Sequence, residues 1–102
     1  MAKLTLLKIG AGWCGPCQAL AKRGALEKFA SEHPDVKLEI HDDSEAGGNA
    51  RWEAFADKWA VKSLPTLIWV SQGEELLRSS DTSMAAIKSQ YEKALKKVEK
   101  LS

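Results

Sequence analysis

Both cysteines of this 102-residue chain fall in one pentapeptide, Trp13-Cys14-Gly15-Pro16-Cys17, between an apolar run and a helical pattern. Two side chains three apart on one helical turn have Cβ atoms about 5–6 Å apart. A disulfide needs ~3.5–4.5 Å, so a small adjustment at a helix start lets such a pair open and close. Closing so short a loop removes little entropy from the unfolded chain. The pair is therefore read as chemical and not as a structural staple. Zinc prefers four Cys or His ligands. Only His33 and His41 remain to complete such a set, and neither stands in a paired spacing, so no metal is expected.

The length fits one domain, residues 1–102, with a modest single core. Hydrophobic residues make up 44% and charged residues 28%, the range of an ordinary soluble globular protein. Fifteen Lys and Arg against fourteen Asp and Glu leave a net charge of +1, so neither nucleic acid nor an anionic membrane is an expected partner. The apolar run at the N-terminus is too short for a signal peptide or a membrane span. A cytoplasmic location and a monomer are the resulting expectations. In that compartment structural disulfides are rare and a Cys-x-x-Cys pair is catalytic or metal-binding.

In chain order, residues 3–9 predict a buried strand that ends at Gly10-Ala11-Gly12. Pro16 sits where a first helical turn tolerates proline. A helix is predicted from Cys17 to about Ser31, with Gly24 as a candidate bend. Val36-Lys37-Leu38-Glu39-Ile40 alternates like a second strand, and an acidic loop is expected from Asp42 to Gly48. Asn49 is a candidate cap for a second helix, whose stripe is Trp52, Phe55, Ala56, Trp59 and Ala60. Pro65 precedes a third strand, Thr66–Val70, at a position that accommodates a missing donor. A tight turn then leads to a weak fourth strand, Glu75–Ser79, in an antiparallel hairpin. A last helix begins near Thr82 or Ser83, with Met84, Ile87, Tyr91, Leu95 and Val98 on one side. Trp69 is left open between sheet face and surface, and His41 is read as a solvated strand end. The order βαβαββα makes strands one and two parallel. The fold class is thus α/β, with a four-stranded mixed sheet flanked by three helices and the cysteines at the carboxyl end of strand one, where open α/β sheets place their sites.

On Trp13-Cys14-Gly15-Pro16-Cys17, on Leu64-Pro65-Thr66 and on the Gln72-Gly73-Glu74 turn, the chain resembles the thioredoxins over nearly its whole length. The resemblance implies a thioredoxin-like fold in a shortened form that starts at the strand carrying the motif. It implies a protein-disulfide reductase in which Cys14 attacks a target disulfide and Cys17 resolves the mixed disulfide. Helix N-terminal N–H groups favour a thiolate at Cys14. Pro65 resembles the family's cis-proline, and the Leu64 backbone takes the family's substrate-pairing position. Trp13, Gly15, Pro16 and Thr66 complete the expected substrate surface. The electrons reside in the cysteine pair, so no bound cofactor is implied. Disulfide-containing proteins are the implied substrates, and a thioredoxin reductase-like protein the implied donor.

The chain departs from the family's pattern at Lys8, where a buried aspartate is usual, and at Gly10, where an aromatic is usual. Ser80-Asp81 replaces a usual glycine, and Lys22 a helix-kinking proline. A charged lysine buried without a partner is penalised by several kcal/mol. Lys8 is therefore neutral, paired, or reached by water beside Gly10. Glu39 on the neighbouring strand is its candidate partner, and Lys8 and Glu39 are the candidate proton-transfer or tuning groups. These departures keep open a glutaredoxin-like or an oxidase or isomerase role. A binding module within a larger assembly is a further alternative, against which stands the intact pair of thiols.

Overall fold

The computed structural model describes residues 3–43 and 50–101. Their strands are β1 (Leu4–Ala11), β2 (Val36–Asp43), β3 (Thr66–Ser71) and β4 (Glu74–Ser79). The helices are α1 (Gly15–Arg23), α2 (Ala25–Glu32), α3 (Ala50–Lys58) and α4 (Met84–Leu101). The sheet order is β2-β1-β3-β4, with β1 parallel to β2 and antiparallel to β3, and β4 antiparallel to β3. The predicted βαβαββα chain path and mixed sheet are thus observed.

Gly24 splits the predicted first helix into α1 and α2. It takes φ +61° and ψ 24°, a left-handed conformation that a glycine adopts without Cβ strain, and its N–H bonds the Ala21 carbonyl. The hairpin loop is Gln72-Gly73, with φ of 51° and 81°. Two positive values suit the right-handed twist of the flanking strands. The predicted loop residues 44–48 and the cap at Asn49 lie outside the described residues. Asp42 and Asp43, expected in that loop, instead continue β2.

β1 is buried on both faces, which explains its near-continuous apolar run. Leu4 and Leu6 pack with Leu20 of α1, Phe29 of α2, Trp69 of β3 and Ile87 of α4. On the opposite face Leu7 and Ile9 join Ile68 and Val70, and Trp52, Phe55 and Trp59 cover them. The predicted stripe therefore faces the sheet as far as Trp59, but α3 ends at Lys58, and Ala60, two residues beyond it, is exposed with φ 52°. Arg78 ties this end down by donating to the Trp59 carbonyl at 2.7 Å while Glu75 holds its guanidinium. Trp69, undecided from sequence, is fully buried, and its indole N–H donates to Gln90 Oε1 at 2.9 Å. His41 is not a solvated end: it is half-buried and stacks on Phe55 at 3.9 Å.

Tyr91 of α4 donates its hydroxyl to Asp35 Oδ2 at 2.7 Å, at the mouth of the Phe29–His33 stack. Burial, with that hydrogen bond second, pushes the phenol from its ordinary 10.0 up to about 12. Between these values the folded chain holds a proton that the unfolded chain has lost, so stability falls as pH rises through this window. Denaturant midpoints of the wild type are expected to fall more steeply there than those of Tyr91→Phe. Parallel curves for the two proteins would refute this assignment.

Candidate active site

The site is built where β1 stops. The Cys14 N–H bonds the Ala11 carbonyl at 3.2 Å, folding Gly12 and Trp13 into a turn, and the Gln18 side-chain amide donates to the Gly12 carbonyl. Cys14 itself is the extended residue capping α1, with φ −99° and ψ 116°. Its Sγ accepts from the Cys17 N–H at 3.3 Å, one of the donors that a helix start leaves without a backbone partner. Cys14 and Cys17 form a disulfide with Cα atoms 5.2 Å apart, inside the usual span.

The two sulfurs have different surroundings. Cys14 is 9% exposed and borders an open cleft of about 650 Å³, whereas Cys17 is 1% exposed beneath it. Trp13, more than half exposed, forms one rim with Gly15 and Pro16, and its ring meets that of Trp52 edge-on at 6.5 Å. Leu64 also lines the cleft and packs against the cluster formed by Ala11, Cys14 and Cys17. The Leu64–Pro65 peptide is cis, and Pro65 is buried just before the Ile9–Thr66 pair of the sheet. Thr66 is placed differently from its expected role at the substrate surface. It is buried, and its hydroxyl donates to the Ser63 carbonyl at 2.6 Å, so it closes the turn from below.

Lys8 is 2% exposed, and its partner is Asp42, with Nζ and Oδ2 2.9 Å apart. This corrects the expected pairing with Glu39. In the parallel register Lys8 stands beside Ile40 and Glu39 beside Leu7, so alternation turns Glu39 to the opposite face, 3.8 Å from His41 Nε2. Asp42 pairs with Gly10 and shares the face of Lys8. The alternation Leu38, Ile40, Asp42, carried two residues beyond the predicted strand end, would have disclosed it.

The sequence profile of the thioredoxin family matches residues 1–97. Thioredoxin-2 of Saccharomyces cerevisiae is 36% identical over 89 residues, covering 84% of this chain and 75% of the yeast protein. The chain belongs to the thioredoxin family. Thioredoxin of Chlamydia trachomatis is 38% identical over 77 residues, with 74% of this chain and 67% of the other covered. Among solved structures, the thioredoxin of Fasciola hepatica superposes with a TM-score of 0.73 at 27% identity, over 91% of this chain and 82% of that one. Like its family, this protein is a thiol–disulfide oxidoreductase, and its redox chemistry resides in the Cys14–Cys17 pair.

Proposed function

We propose that the protein reduces disulfides in other proteins, with Cys14 as the attacking thiol and Cys17 as the resolving one. The observation that carries this reading is that Cys14 borders the cleft while Cys17 lies below it. A substrate disulfide in the cleft meets Cys14 first and exchanges with it by thiolate attack. Trp13, Gly15 and Pro16 would bear on the substrate from one side, and the Leu64 backbone beside Pro65 would pair with it from the other. The packing of Leu64 against the cluster that holds both cysteines supports that placement. Residues 1–102 act in this reading as a single thioredoxin-like domain and a monomer.

A thioredoxin reductase-like protein is the proposed electron donor, and the cytoplasm, with its reducing poise, the proposed location. No described helix is long and apolar enough to cross a membrane. Insulin reduction with electrons supplied by NADPH and thioredoxin reductase is expected to run faster than with glutathione and its reductase. Turnover with glutathione alone would assign the protein the glutaredoxin-like role instead.

A further inference from the structure

Behind the disulfide three side chains converge on a residue that has none. A β-carbon placed on Gly10 would lie 2.8 Å from Asp42 Oδ1, 3.1 Å from Cys17 Sγ and 3.2 Å from Lys8 Cε. Carboxylate and sulfur each approach one point to about hydrogen-bond distance, so they lie within direct or single-water reach of each other. The Asp42 side chain is 32% exposed while that of Lys8 is 3% exposed, so this carboxylate joins the buried interior to solvent. The Lys8 ammonium holds its other oxygen, Oδ2, at 2.9 Å.

We propose that Asp42 is the proton acceptor for Cys17, that Lys8 is the positioning residue which aims it, and that Gly10 is the gap through which they meet. The proposal rests on the dithiol exchange at Cys14 and Cys17 and not on which partner supplies electrons. In the mixed disulfide, Cys14 is bonded to a substrate sulfur and Cys17 is a thiol. Its proton passes to Asp42, and the Cys17 thiolate attacks Cys14 Sγ. The Cys14–substrate bond breaks, the Cys14–Cys17 bond forms, and the substrate sulfur leaves as a thiolate that takes a proton from water. The two electrons that reduce the substrate come from the cysteine pair, and the proton on Asp42 is released at its exposed edge. Among the described residues, the other charged or titratable groups that line the same cavity as Asp42 are His41 on its own strand, with Glu39 beside His41, and Arg51 and Lys58 of α3.

The test is a single turnover of the reduced protein in excess over an aromatic disulfide whose two thiolates are coloured. One thiolate is released when Cys14 attacks and the second when Cys17 resolves, so the first phase reports on the reading of Cys14 and the second on Asp42. In Asp42→Asn the second phase is expected to slow about a hundredfold relative to the first at neutral pH, the scale of a lost general base. The deficit should shrink as pH rises and the thiol ionises unaided, and Asp42→Glu should restore most of the rate. Lys8→Met should slow the second phase less than Asp42→Asn does. Gly10→Ala should slow it too, because its methyl would press on Asp42 Oδ1. An unchanged ratio of phases in Asp42→Asn, or a deficit equal at every pH, overturns the proposal. Should Asp42→Asn not fold, Lys8→Met and Gly10→Ala decide: each is expected to slow the second phase relative to the first, and an unchanged ratio of phases in both overturns the assignment.

Discussion

Cys17→Ser is expected to stop turnover and leave Cys14 covalently tied to its substrate. Cys14 borders the cleft, and in the proposed mechanism it begins the exchange without help from a second thiol. With the buried thiol gone, nothing inside the protein displaces the substrate from Cys14, and release waits for an external thiol. Multiple-turnover reduction of insulin should fall on the order of a thousandfold or more, a conservative figure beside the losses that follow removal of an enzyme nucleophile. Mass spectrometry of the variant should find the adduct on Cys14. Cys14→Ser should lose the same turnover without accumulating an adduct, because Cys17, 1% exposed, does not meet substrates. Sustained turnover by Cys17→Ser, or an adduct on Cys17 in Cys14→Ser, contradicts the assigned roles.

The largest effect on stability is expected at Trp69. Its ring is fully buried at the centre of the sheet, edge-on to Phe29 at 6.1 Å, and its N–H reaches Gln90 Oε1. Trp69→Ala leaves a cavity and an acceptor without its donor, and comparable truncations cost about 3–5 kcal/mol. Against a total of roughly 5–15 kcal/mol for a small domain, that loss is a large fraction. Trp69→Phe keeps much of the packing but orphans Gln90 Oε1, for about 1–3 kcal/mol. Urea unfolding of the three proteins should rank them wild type, Phe, Ala. A loss below about 1 kcal/mol for the alanine variant, well short of a buried large-to-small change, would refute the placement of Trp69 in the core.

Much of this molecule was legible from local pattern. The apolar run of β1, the alternation that starts β2 and the turn residues Gln72-Gly73 each obey a short-range rule. So do Gly24, where a left-handed residue divides the first helix, and the motif that caps α1 with Cys14. Element ends were less legible. β2 runs three residues beyond its predicted end because the register with β1 continues to the Ala11–Asp43 pair, and nothing in the acidic composition of Asp42-Asp43 signals strand. That extension matters for the site. It brings Asp42 to the face of Lys8, whereas Glu39, the nearer acid by sequence pattern, faces the other way.

The sequence by itself determined that two thiols sit on a strand-to-helix turn in a thioredoxin-like chain. The reason is that a helical turn sets the spacing of Cys14 and Cys17 whatever surrounds it. It also determined that Lys8 needs a partner or water, since a buried charge is expensive anywhere. Where the Trp69 ring lies and which acid answers Lys8 were decided by the tertiary structure alone. Those outcomes depend on register and on layers packed from distant segments, and a carboxylate 34 residues from its lysine leaves no local trace of the pairing.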